Sequence, residues 1–156
     1  MTIFVDMDGV LADFDQHYEN VFGVLPRRVA DNVDWKQVRV AKNFFRDLPP
    51  MKDLDELWAF LEPFKPIVLT GIPSLKHDIV DAADNKRAWA SKYLGPDVEV
   101  RCVLSKEKYL HAAPGDILID DWEKYQDLWL AQGGQWVTHT SAASTIAQLK
   151  KLIPTV

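Results

Sequence analysis

The sequence predicts an α/β fold: a parallel sheet with helices on both faces and a small helical cap inserted after the first strand. Three observations lead there. Short apolar runs alternate with stretches at helical spacing, the pattern of βαβ units. The runs are close to continuously hydrophobic, as strands buried on both faces are. Their C-terminal ends carry polar residues one after another, where open α/β sheets bind their ligands. A length of 156 residues fits a single domain. Residues 1–156 therefore read as one unit, with 15–65 as the cap insertion.

Taken in order, "TIFV" (2–5) is a β-branched strand. The next fifty residues turn aromatic and charged, with "WKQVRVAKNFF" and "LDELWAFLEPF" at helical spacing, too long a stretch for a simple connection. "PIVLTG" (66–71) is the second strand. "VDAADNKRAWASKYLG" (80–95) is a helix stopped at Gly95-Pro96. The surrounding 75–89 mixes acids and bases like a solvated helix. "VEVRCVL" (98–104) reads as a buried third strand and "DILIDD" (116–121) as a fourth. "EKYQDLWLAQGG" (123–134) is a helix ending in glycines, "QWVTH" (135–139) a fifth strand and "SAASTIAQLKKL" (141–152) the closing helix. Trp58, Trp89 and Trp129 fall at helical core positions.

Composition narrows the function classes. A net charge of -5 with no Lys/Arg block argues against general binding to a nucleic-acid backbone, but not against a small anion held at a local positive site. The single cysteine, Cys102, excludes an intramolecular disulfide and a cysteine zinc site, and its strand context reads as a packed thiol. No signal peptide is recognisable and no run approaches membrane-spanning length, so a reducing cytoplasm is the expected location. P-loop, dinucleotide-fold and serine-hydrolase motifs are absent, and His17, His77, His111 and His139 share no metal-ligand spacing.

The chemistry gathers at the strand ends. Asp6 and Asp8 follow strand one, Thr70 and Gly71 close strand two, Ser105, Lys106 and Lys108 follow strand three, and Asp120 and Asp121 follow strand four. Carboxylates that converge repel one another unless a cation joins them. A small oxygen-liganded cation completed by substrate phosphate suits Mg²⁺. One such aspartate can attack phosphorus, a second carboxyl two residues on can protonate the leaving oxygen, and lysine, threonine and backbone N–H groups can hold the phosphoryl oxygens. Each element alone has a plainer reading: a solvated turn, an ordinary strand end, a surface lysine, a helix N-cap at Asp120-Asp121. Their consistent order favours the site.

"DMDGVLADF", "VLTG", Lys108 and "ILIDD", spanning residues 3 to 121, resemble the four motifs of the haloacid dehalogenase superfamily of phosphohydrolases. The resemblance implies Asp6 as nucleophile and Asp8 as acid/base. It implies Mg²⁺ held by Asp6, the Asp8 carbonyl and one of Asp120 or Asp121, with Asp121 favoured and Asp120 nearer Lys108. "KNFFRDLPPM", "AWASKYLGPD" and "LSKEK" are similar to the 5'(3')-deoxyribonucleotidases of that superfamily. That likeness implies phosphate binding by Thr70, Gly71 and Lys108, with Lys106 as fallback. It implies a nucleoside monophosphate as substrate, its base against Phe14, Trp35, Phe44 and Phe45 unless those rings simply pack the cap. Trp122 stands where many relatives carry arginine, and Gly71-Ile72-Pro73 replaces a Ser-Pro-type turn; both bear on substrate, not on the core chemistry. Three other readings are weighed: a phosphatase for another phosphoester such as a sugar phosphate, an inactive binding module on the same fold, and a phospho-receiver. The receiver is disfavoured because its acidic pair comes early, whereas here it follows the lysine. Asp13 is expected to brace the loop and Asp15 to start the cap helix. Oligomeric state stays open.

Overall fold

The computed structural model describes residues 1–26 and 33–154. Five parallel strands, β1 (Ile3–Val5), β2 (Ile67–Gly71), β3 (Val100–Val103), β4 (Ile117–Asp120) and β5 (Gln135–Thr138), form one sheet in the order β3-β2-β1-β4-β5. Val5 pairs with Val68 on one side and Ile119 on the other, so β1 lies at the centre. Among the described residues six α-helices accompany them: α1 (Phe14–Phe22), α2 (Trp35–Val40), α3 (Leu54–Leu61), α4 (Ala82–Tyr93), α5 (Gln126–Ala131) and α6 (Ala142–Leu152). Among the described residues no helix is long and apolar enough to cross a membrane.

Side chains alternate across the central strands, and both faces are covered. Ile3, Val5, Val68, Ile117 and Ile119 join a large core with Trp89 of α4, Leu57 of α3 and Leu149 of α6. Phe4, Leu69 and Leu118 face the other way and meet Trp129 of α5. Burial of a large aliphatic or aromatic side chain contributes about 1.5–3 kcal/mol, which makes this double-faced core the main stabilising element. Trp58, Trp89 and Trp129 are buried as their spacing predicts. α3, though within 15–65, packs on α6, and Asp53 accepts the Ala142 N–H at 2.7 Å to fix that pairing.

Four local expectations are corrected. β3 is the sheet edge and only half-buried along its length, because no strand covers its outer side; Cys102 is accordingly half-buried. The helix expected over "WKQVRVAKNFF" ends at Val40, since Ala41 turns extended and Asn43 sits at φ 58°, a left-handed conformation asparagine tolerates. The helix expected from Glu123 opens as a tighter 3₁₀ turn over Glu123–Tyr125 before α5 begins. Asp13, not Asp15, caps α1, accepting the Gln16 N–H at 3.1 Å; Asp15 lies in the first turn.

Candidate active site

The loop after β1 shapes the centre. Its chain coils around the Met7 carbonyl, which accepts the N–H groups of Val10, Leu11 and Ala12 at 3.2, 2.8 and 2.9 Å. Met7 is buried between the two aspartates, and Gly9 makes the turn at φ 82°, where a Cβ would be strained. Asp6 continues the β1 ladder, donating its N–H to Ile119 O at 2.9 Å, which seats it beside β4. Sheet order does the rest. β1 stands between β2 and β4, so Thr70 and Gly71 flank the loop on one side and Asp120 and Asp121 on the other.

Two buried lysines divide the carboxylates. Lys108 places its ammonium 3.1 Å from Asp6 Oδ1 and 2.8 Å from Asp120 Oδ2. Burial alone would lower the Lys108 pKa, but the Asp120 and Asp6 charges more than reverse this and hold it well above the ordinary lysine range. Asp120 also accepts the Trp122 N–H at 3.0 Å on Oδ1. Burial, then the Asp6 and Asp121 charges, push the Asp120 carboxyl up to about 7 against the pull of Lys108. Asp6, Asp120 and Asp121 each bring a carboxylate oxygen within 4.8 Å of the others. A divalent cation among these clustered acids would offset their mutual repulsion, and an all-oxygen donor set is what Mg²⁺ takes. Asp8 stands outside this trio.

Asp8 is held instead by Lys86, which in sequence looks like part of a solvated helix. Lys86 is fully buried. Its ammonium donates to Asp8 Oδ2 at 2.9 Å, Thr70 Oγ1 at 2.9 Å and the Gly71 carbonyl at 2.7 Å, and lies 4.8 Å from the Phe45 ring centroid. α4 buries Ala82, Asn85, Lys86, Trp89 and Ala90. The available signal was helical phase: Lys86 lies four residues from Ala82 and from Ala90 and three from Trp89, on the helix's apolar stripe.

Beside Asp8 lies a cleft of about 340 Å³, lined by Asp8, Gly71 and Ser105 together with aromatic rings. Of the four rings suggested by sequence, Trp35 and Phe45 line it. Phe14 and Phe44 belong to the packed core, with ring centroids 5.5 Å apart. Trp122 and Tyr125, which follow β4, also line the cleft, although neither is among the rings the sequence suggests for a base. The Trp35 and His77 rings, 5.4 Å apart, bring α2 to the loop after β2. Gly71 has no room for a side chain, since a Cβ there would collide with Ser105 Oγ. Lys106 is exposed and lines the cleft, while Lys108 is the lysine among the carboxylates.

No protein-family model matches the chain. The human cytosolic-type 5'(3')-deoxyribonucleotidase is 30% identical over 145 residues, covering 76% of this chain and 69% of that protein. The human mitochondrial 5'(3')-deoxyribonucleotidase is 29% identical over 147 residues, covering 78% of this chain and 62% of that protein. Among solved structures, the L-2-haloacid dehalogenase of Xanthobacter autotrophicus superposes with a TM-score of 0.55 at 15% identity, covering 98% of this chain and 84% of that one. The fold is therefore that of the haloacid dehalogenases. The chain belongs to the 5'(3')-deoxyribonucleotidase family of that superfamily and is a phosphoric monoester hydrolase.

Proposed function

We propose that the chain is a Mg²⁺-dependent nucleotidase acting on nucleoside monophosphates, deoxyribonucleotides among them, through an aspartyl-phosphate on Asp6. The observation that carries the reading is the partition of the carboxylates: Asp6 grouped with Asp120, Asp121 and Lys108, Asp8 held apart by Lys86, which also bonds Thr70. Asp6, Asp121 and the Asp8 carbonyl would hold the metal, with Asp120 bracing Lys108. Bound there, Mg²⁺ would supply neutralisation of the acids and polarisation of a phosphoryl oxygen.

An Asp6 carboxylate oxygen forms a bond to phosphorus as the ester P–O bond breaks, and Asp8 gives its proton to the leaving alcohol oxygen. Asp8, now a carboxylate, takes a proton from water as the water oxygen bonds to phosphorus, which frees Asp6 and releases phosphate. Lys108, the Thr70 hydroxyl and the Gly71 N–H bind the remaining phosphoryl oxygens as charge shifts among them. Lys86 keeps Asp8 aimed at the leaving group. The relatives named 5'(3')-deoxyribonucleotidase support a nucleotide substrate, with Trp35, Phe45, Trp122 and Tyr125 offering rings against which a base stacks. On this reading the cap is the α1–α2 segment beside the cleft. Likeness to a cytosolic-type relative and a free cysteine support a cytoplasmic location. Packing of Phe14 and Phe44 into the core removes two rings from the base pocket, the one observation that favours a smaller phosphoester such as a sugar phosphate.

Phosphate release from nucleoside 5'- and 3'-monophosphates and sugar phosphates, with Mg²⁺, with chelator and with Asp6→Asn, tests both readings. Turnover of deoxynucleotides is expected to need the metal and Asp6, and acid-quenched enzyme to carry phosphate on that residue. Activity on sugar phosphates alone would overturn the substrate. Undiminished turnover by Asp6→Asn would overturn the nucleophile.

A further inference from the structure

Ser105 stands where two cavities meet. β3 runs parallel to β2 with Val103 opposite Gly71, and the Ile72 N–H donates to Val103 O at 2.8 Å. Two residues further on, a 3₁₀ turn over Ser105–His111 begins. Side chains three residues apart eclipse in such a turn, so Ser105 and Lys108 share a face. Both border a small chamber of about 10 Å³ that also reaches Asp120, room for about one water. Ser105 borders the larger cleft as well, beside Asp8 and Gly71. Its hydroxyl occupies the space that a side chain at Gly71 would need.

The acceptors around that hydroxyl are already engaged. Asp120 takes Lys108 on Oδ2 at 2.8 Å and the Trp122 N–H on Oδ1 at 3.0 Å, and the Gly71 carbonyl takes Lys86 at 2.7 Å. Among the described residues Ser105 Oγ makes no hydrogen bond to the chain. It is half-buried, and a hydroxyl there has a proton to give to an incoming anion. A phosphoryl group on Asp6 lies next to Lys108, whose ammonium is 3.1 Å from Asp6 Oδ1, and its leaving group lies toward Asp8 in the cleft wall. Ser105 borders both places. We propose that Ser105 Oγ donates a hydrogen bond to a non-bridging phosphoryl oxygen, alongside Lys108, Thr70 and the Gly71 N–H, and holds it as charge shifts during transfer. The inference rests on the aspartyl-phosphate reading above and adds a phosphoryl-binding residue to it. Ser105 transfers no proton and forms no covalent bond. The missing side chain at Gly71 is what admits the hydroxyl to this position.

The test compares the parent with Ser105→Ala and Ser105→Cys. Alanine removes the donor, whereas cysteine keeps the bulk against Gly71 but is a weak donor. Orthovanadate, a mimic of the phosphoryl group in transfer, is titrated into each protein by calorimetry in Mg²⁺. Both variants are expected to bind it about 10–100-fold more weakly than the parent, the range for a hydrogen bond to a charged group. Their melting midpoints are expected to stay within about 2 °C of the parent's. In parallel, kcat/KM for thymidine 5'-monophosphate and for p-nitrophenyl phosphate is expected to fall by a similar factor on both substrates, because the loss lies at the phosphoryl group they share. A cysteine variant that matches the parent in vanadate affinity and turnover would make Ser105 a spacer and overturn the inference. Equal vanadate binding by all three proteins, or none by the parent, overturns it too. Turnover of p-nitrophenyl phosphate alone, with both Ser105 losses present, sinks the nucleotide substrate and leaves Ser105 in its role. Nucleotide turnover indifferent to both substitutions does the reverse.

Discussion

Replacing Lys86 by methionine separates its charge from its bulk. The unbranched methionine fills most of the space of the lysine stem, so little cavity is left. What disappears is an ammonium that is fully buried and donates to Asp8, Thr70 and Gly71 at 2.9, 2.9 and 2.7 Å. Removing one partner of a buried ion pair costs about 3–5 kcal/mol because the other charge is left without compensation. Asp8 is 8% exposed and keeps some contact with solvent, which places the expected loss at the lower end, about 3 kcal/mol. In a domain of this size each kcal/mol moves the melting midpoint by about 2–4 °C, so the variant should melt about 6–12 °C below the parent. Turnover should fall further than stability explains, by about 10²–10⁴, the usual contribution of a positioned acid–base. Thermal melts followed by circular dichroism, together with phosphate release well below the variant's midpoint, measure the two effects separately. A variant that melts within about 2 °C of the parent and keeps full turnover would refute the view that Lys86 anchors Asp8.

Two further outcomes follow from packing and burial. Gly71→Ala is expected to lose about 1–3 kcal/mol by overpacking against Ser105, and Ser105→Gly in the same chain to recover most of it. A single variant as stable as the parent in urea unfolding would count against that contact. His17 packs against Phe44 with tilted rings, 4.7 Å between centroids, and burial, opposed by Asp47, lowers its pKa from the ordinary 6.5. As pH falls below that value the unfolded chain takes up the proton first, so this contribution to stability is present above it and declines beneath it. His17→Gln should therefore flatten the fall in melting temperature between about pH 7.5 and pH 5; identical slopes in the two proteins would contradict this.

The strands and most helices were legible because their signals are local. An apolar β-branched run closed by aspartate reads as a strand wherever it lies, and β1, β2, β4 and β5 fall within two residues of the runs that announced them. The acids at the ends of β1 and β4 were legible for the same reason. Phe44 and Phe45 show where local reading stops. Adjacent and chemically identical, only Phe45 lines the cleft, because the turn that carries both aims their rings nearly at right angles. In sequence Tyr125 reads as the start of a helix and Trp122 only as the residue in place of an arginine, whereas the extended Trp122 and the 3₁₀ turn after it put both rings in the cleft wall.

Lys86 marks the deeper boundary. Its neighbours Asp84 and Arg87 made the helix look solvated, and its partners Asp8 and Thr70 lie 78 and 16 residues away along the chain. Sequence by itself determined which residues end the strands and so which chemical groups the sheet presents along one rim. It also determined that Asp6, Asp8, Asp120 and Asp121 are among those groups. Tertiary structure decided which lysine meets which acid. That choice depends on β1 lying between β2 and β4, and on the phase at which α4 turns one lysine inward. Pairing energy between charges exists only once the fold has brought them within a few ångströms of each other in a place that water does not screen.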